Sequence, residues 1–200
     1  MRRTTIMGLC ILGVCVLGVY GDEAGLHDGW NNVLQAHVDD AGYVAYKALK
    51  ADPVKLDSYL VALARTDPAS LSEQEQLAYW INAYNAFTVK LILEHYPIKS
   101  VRDIHKPWDQ KAWTAGGTVY SLNDIEHEIL RKKFKEPRIH FAIVCASIGC
   151  PALWNHAYRE ASIDAELDEA TKRFLGSEKH FVVSTEESFL GGQNVVIKMS

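Results

Sequence analysis

An α+β domain, with helices packed around a small, mainly antiparallel sheet, is predicted by three stretches of the sequence. Ser72 opens "EQEQLAYWINAYNAFTVKLILEHY", a long run with apolar residues at helical spacing. "PRIHFAIVC" reads as a near-continuous apolar strand of the kind buried on both faces, and the tail "HFVVSTEESFLGGQNVVIKMS" reads as a hairpin turning near Gly191-Gly192. With 200 residues, 48% hydrophobic and 23% charged, the chain is long enough to bury one core without staples.

The N-terminal "MRRTTIMGLCILGVCVLGVYG" carries two arginines, an apolar stretch from Ile6 to Val19, and a small residue, Gly21, ahead of Asp22. That order is the one a secretory signal needs, and the apolar part is short for a membrane span, so residues 1–21 are expected to be a signal peptide and 22–200 a single domain. The rival reading is an uncleaved anchor, the one route by which a membrane enters. Removing the segment takes Cys10 and Cys15 with it and leaves Cys145 and Cys150 in a secreted or periplasmic setting where a disulfide is permitted. Arg2 and Arg3 go too, so 19 of the 21 basic residues face 25 acidic ones and the formal charge moves from −4 to −6. A net acidic chain with no basic cluster argues against nucleic acid as a partner.

Along the rest of the chain, a short helix is expected around Trp30–His37. In "DDAGYVAYKAL", Gly42 supplies a turn and Tyr43–Tyr46 a small strand. Leu56, Leu60 and Leu63 space a helix between Pro53 and Pro68. Ser72 and Glu75 form a capping-box pair for the long helix, which is apolar almost all round and therefore belongs in the middle of the domain; Tyr96-Pro97 ends it. An irregular, aromatic-rich passage with a Gly116-Gly117 turn follows. "SLNDIEHEILRKKF" then restarts a helix with Asn123 and Glu126 as a second capping box, and "SIDAELDEATKRFL" gives a late amphipathic helix.

Several residues have the chemistry of a site. Glu126 falls on the apolar face set by Leu122, Ile125 and Ile129, where a carboxylate must be paired, hydrogen-bonded or protonated. A salt bridge to Arg131 or Arg138, or the capping role, would satisfy it; so would orienting a histidine, and His127 is its neighbour. In a strand, His140 would point away from Cys145, which weakens it as that thiol's base. Asn82 and Asn85, spaced i, i+3, share one side of the buried helix and need partners, either loop backbone or a polar cleft. Cys145 and Cys150, in "CASIGCP", admit four readings. They are a disulfide, a zinc pair with His140 or His156, small packing residues, or a reactive thiol assisted by histidine. Zinc lacks the usual second ligand pair, so no metal and no cofactor are expected.

"LAYWINAYNAFTVKLILEHYPIKSVRDI", "SLNDIEHEILR" and "PRIHFAIVCASIGCPAL" resemble the three signature blocks of the family catalogued as domain of unknown function 547, and the resemblance covers roughly residues 30–175. Members are mostly bacterial, often with a signal or lipoprotein segment. The family's characteristic polar positions fall on Asn82 and Asn85, on Glu126 and His127, and on Arg138, His140, Cys145, Cys150 and Pro151. The first cysteine of the block is the more widely shared, which favours Cys145. The resemblance further implies a distant likeness to papain-like or transglutaminase-like thiol enzymes. Many members continue into a segment resembling LSxIFxWYxxDF, whereas this chain stops soon after "VVIKMS", which implies a shortened C-terminal wall.

Two functions follow as expectations. In the first, a thiol hydrolase or transpeptidase acts on a small peptide-like amide or γ-glutamyl compound. Cys145 attacks the carbonyl, His127 carries the proton, Glu126 holds the imidazole, and Asn82, Asn85, Arg138, His140 and Cys150 support or bind. In the second, the same residues build a non-enzymatic binding or scaffold domain. That reading expects a disulfide or buried thiols, and asparagines with satisfied amides.

Overall fold

Residues 25–147 and 149–177, together with the strands Phe181–Glu187 and Gln193–Met199, are described by the computed structural model of the chain. The expected signal segment and the turn at Gly191-Gly192 lie outside the described residues.

The first helix, Asp28–His37 (α1), buries Trp30, Val33 and Leu34, the i, i+3, i+4 stripe that its sequence spacing provides. Val38 and Val44 then form an isolated antiparallel bridge around the Gly42 turn. The expected strand at Tyr43–Tyr46 shrinks to that bridge, because Tyr46 already starts the next helix, Tyr46–Ala51 (α2). Helix Val54–Arg65 (α3) turns Leu56, Tyr59 and Leu63 inward, and Tyr59 stacks on Trp30 with ring centroids 5.8 Å apart.

Ser72 caps the long helix, Glu73–His95 (α4), with both halves of the expected capping box: its hydroxyl accepts from Glu75 N–H and its own N–H donates to the Glu75 carboxylate at 2.7 Å. Every residue from Ala78 to Val89 is buried. The core is therefore centred on a helix, with the other elements arranged around it, and the cis peptide at Tyr96-Pro97 follows its end.

The aromatic-rich passage contains a hairpin, Trp113–Ala115 (β1) paired with Thr118–Tyr120 (β2). Gly116 and Gly117 both have positive φ, +55° and +74°, the backbone a two-residue hairpin turn requires. Their N–H groups donate to the carbonyls of Leu63 and Ala64, so the turn also satisfies the open end of α3.

Past the hairpin, residues Asp124–Leu130 form a π-helix that continues into a short α turn, Arg131–Lys133 (α5). Its cap is not the expected Asn123–Glu126 pair. Ser121 Oγ accepts from Asp124 N–H at 3.0 Å and Ser121 N–H donates to the Asp124 carboxylate at 2.8 Å, which holds that carboxyl below its ordinary range.

The expected strand in "PRIHFAIVC" is also overturned, since Pro137–Phe141 is a 3₁₀ helix. Glu136 accepts from Arg138 N–H at its start and Pro137 pre-sets φ there. Ile139, Ala142 and Ile143 are buried, a helical spacing within a run whose continuous apolar character fits either element. The last helix, Ile163–Leu175 (α6), packs against this turn. The strands Phe181–Glu187 (β3) and Gln193–Met199 (β4) pair antiparallel in register Phe181↔Met199, as the hairpin reading expects. The α+β class holds, mostly helical with two antiparallel strand pairs. The papain-like or transglutaminase-like likeness is not confirmed by it.

Candidate functional site

The two asparagines of α4 are buried and fully engaged with loop backbone. Asn82 donates through Nδ2 to the Tyr158 carbonyl at 2.8 Å and accepts through Oδ1 from Tyr158 N–H at 3.0 Å. One turn further on, Asn85 donates to the Ala142 carbonyl at 3.0 Å and accepts from Val144 N–H at 2.9 Å. A central helix that is apolar almost all round thus uses two carboxamides to fasten the segments on either side of the cysteine loop, leaving no amide atom of either side chain unpaired.

Between those fastenings, Cys145 and Cys150 form a disulfide, with Cα atoms 6.1 Å apart. Ala146 sits in the left-handed region at φ +61°, and Cys150 N–H donates to the Ser147 carbonyl at 3.0 Å, so the chain turns tightly between the two sulfurs. A disulfide-bonded Cys145 has no thiolate to act as a nucleophile.

A cleft of about 670 Å³ opens beside this loop, in the size range of small-molecule sites. Its walls come from five places: the Ala41–Val44 turn with Tyr46, the Asn85–Val89 face of α4, Phe141 and Val144 at the end of the 3₁₀ turn, the loop from Ala146 to Trp154, and the end of α6. Phe141 and Phe174, whose rings lie 5.2 Å apart, form one apolar wall, and Trp154, stacked on Tyr158 at 5.3 Å, belongs to another. Arg173 is the one charged side chain among the described lining residues; its guanidinium also donates to the Asp40 carbonyl. Cys150 lines the cleft and Cys145 does not.

The other candidate residues lie elsewhere. Glu126, half-buried, accepts a hydrogen bond from Tyr84 O–H at 3.2 Å, and burial together with that carboxylate pushes the Tyr84 hydroxyl well above its ordinary range. Neither expected salt bridge forms. Arg131 instead places Nη1 3.1 Å from Nδ1 of the exposed His127. Arg138 ties the 3₁₀ turn to α6 through Glu136 at 2.6 Å, Asp164 at 2.7 Å and Asp168 at 2.5 Å, and it holds the Glu136 carboxyl down. His140 is exposed on the 3₁₀ turn, so the strand alternation that would have aimed it away from Cys145 does not apply. Among the described residues no hydrogen bond links Cys145 to a histidine, and neither His127 nor Glu126 lines the cleft.

The structure therefore brings Asn85 and Cys150 together at one cleft and leaves Glu126, His127, Arg138 and His140 outside it. Sequence reasoning missed Phe141, Trp154, Arg173 and Phe174 as lining residues. Their only local signal is an aromatic or basic side chain near an apolar run, which a core or a solvated face explains equally well. Among the described residues no group of three His, Cys, Asp or Glu side chains converges to hold a metal ion, and no helix is long and apolar enough to cross a membrane.

No curated protein and no solved structure matches the chain. The family model described as "Protein of unknown function, DUF547" matches residues 68–175, a span that includes α4, both asparagines, the disulfide loop and α6. Since that is more than half of the chain, the protein belongs to the DUF547 family.

Proposed function

We propose that this protein is a secreted or periplasmic binding domain whose cleft takes a small peptide-like molecule with an apolar side chain and a carboxylate. One observation carries the reading: an apolar, aromatic-walled cleft of about 670 Å³ has Arg173 as its single charged side chain among the described lining residues. A lone cation in such surroundings favours an anionic group on a ligand whose body is apolar. The disulfide and the four satisfied amide contacts of Asn82 and Asn85 support binding over thiol chemistry, because the first leaves no thiolate to attack and the second leave no free amide to orient an imidazole. The signal-like segment at 1–21 and a disulfide both fit an oxidising compartment.

The test is calorimetric titration with N-acetyl-phenylalanine and with its neutral amide. The acid is expected to bind more tightly than the amide by fivefold or more, and Arg173→Gln to abolish that difference. Equal binding of the two probes, or binding of neither, counts against the reading.

A second reading, a cysteine-dependent hydrolase or transpeptidase of small amides, rests on the loop that holds both cysteines bordering the cleft through Ala146, Ser147 and Cys150. It requires the disulfide to be opened and an imidazole to approach the thiol freed at Cys145. Turnover of a γ-glutamyl or dipeptide amide by the reduced protein, lost in Cys145→Ser and in His127→Ala, would support it. An unchanged rate in either variant removes that residue from the mechanism.

A further inference from the structure

We infer that the cleft delivers a small carboxylate-bearing thiol to the Cys145–Cys150 bond and that exchange begins at Cys150. The inference rests on the cleft being a ligand site and names one class of ligand for it. Disulfide exchange needs the attacking sulfur to approach the far side of the sulfur it displaces from, in line with the bond that breaks. Both cysteines are half-buried, but only Cys150 is part of the cleft wall, with Ser147 and Pro151 beside it. A ligand held in the cleft lies against Cys150, and attack there leaves Cys145 as the departing group. Cys145 stands on backbone that Asn85 holds through Ala142 and Val144. Arg173, lining the same cleft, favours both the carboxylate and the thiolate form of the incoming ligand.

The chemistry closes with the thiol as the only co-reactant. A ligand thiolate bonds to Cys150 Sγ as the bond to Cys145 breaks, and the electron pair stays on Cys145 Sγ, which takes a proton from water. A second ligand thiolate attacks the ligand sulfur of the mixed disulfide, and Cys150 leaves as a thiolate and is protonated. Two ligand thiols are oxidised to one ligand disulfide, and the protein disulfide gains the two electrons.

The test treats the mature, oxidised protein with N-acetylcysteine, quenches with acid, alkylates with N-ethylmaleimide and maps the two cysteines by mass spectrometry. The expected product carries N-acetylcysteine on Cys150 and the maleimide on Cys145, at least tenfold over the reverse. At equal thiolate concentration N-acetylcysteine is expected to react at least threefold faster than N-acetylcysteine amide, with the advantage lost in Arg173→Gln. As a second measurement, Cys145→Ser is expected to take up N-acetylcysteine from its own disulfide dimer at least fivefold faster than Cys150→Ser does. Adducts spread equally over both cysteines, or a bond that opens only in denaturant, overturn the inference. Titration with N-acetyl-phenylalanine involves no thiol, so it still reads the binding function separately.

Discussion

Asn82 and Tyr158 are joined as two strands of a sheet would be: both ends of one buried carboxamide pair with the N–H and the C=O of one residue, 76 positions away along the chain. The side chain supplies to an irregular segment the hydrogen bonds that secondary structure would otherwise provide. Asn82→Ala would leave a buried backbone donor and a buried acceptor without partners, and a destabilisation of roughly 3 kcal/mol is expected. Asn82→Asp should be no better, because its carboxylate cannot donate to the Tyr158 carbonyl. Urea unfolding of the two variants checks this, and an unchanged midpoint in either would show the pair to be dispensable.

Gly42 packs its backbone directly against the cleft wall. A Cβ there would lie 2.7 Å from Ala152 Cβ and 2.9 Å from Leu153 N and O, at a φ of +86°. Gly42→Ala is expected to cost about 2 kcal/mol and to weaken ligand binding by displacing Ala152, which lines the cleft. Adding Ala152→Gly should recover only the part due to the Ala152 Cβ contact and leave the part due to the Leu153 backbone contacts and to backbone conformation. Denaturation midpoints of the single and double variants separate the two contributions.

The disulfide closes a short loop between residues only five apart in sequence. Loop-closure entropy for so few residues gives a stabilisation of about 2 kcal/mol, small beside what a bridge between distant segments contributes. The Cys145→Ser/Cys150→Ser double variant is therefore expected to fold, with a thermal midpoint several degrees lower. Circular dichroism melting decides the matter, and a chain that fails to fold would assign the bond a much larger role.

His27 makes stability depend on pH. It is 5% exposed, and burial, aided by the Arg159 charge and opposed by Asp28, lowers its pKa from 6.5 to about 4. Between those values the unfolded chain binds the proton and the folded one does not, so stability falls as pH drops. The contribution is complete above pH 6.5 and is lost progressively toward pH 4, by about 3 kcal/mol in all. His27 Nδ1 lies 2.8 Å from the Tyr59 hydroxyl, and Asp28 pairs with Arg159 at 2.6 Å, so His27→Gln keeps a polar partner there while removing the titration. Urea midpoints measured from pH 4 to pH 7.5 should show a shallower slope for His27→Gln than for the natural chain; equal slopes would mean that His27 does not carry the effect.

The legible parts of the chain are those whose interactions close locally. The Ser72–Glu75 box and the apolar spacing of α4 involve residues three or four apart, so the sequence carries them directly. The second capping box shows the limit. Asn123–Glu126 and Ser121–Asp124 have the same spacing, and the choice between them was made by distant groups: Trp108 carbonyl accepts Asn123 N–H at 3.0 Å, and Tyr84 takes Glu126. The short apolar run after Pro137 fits a strand or a helical turn equally. Its neighbours settled it, with Glu136 capping the turn and Arg138 reaching Asp164 and Asp168 on α6.

By itself the sequence determined a buried central helix, its boundaries, the need of Asn82 and Asn85 for partners, and membership in a family through blocks that are each continuous in the chain. Only the tertiary structure decided what those asparagines hold, that Cys145 is bonded to Cys150, and that Phe141, Trp154, Arg173 and Phe174 share one cleft. The physical reason is range. Helix periodicity and caps are satisfied within a turn or two, whereas the cleft is assembled from side chains far apart in sequence, whose meeting depends on how every intervening element packs.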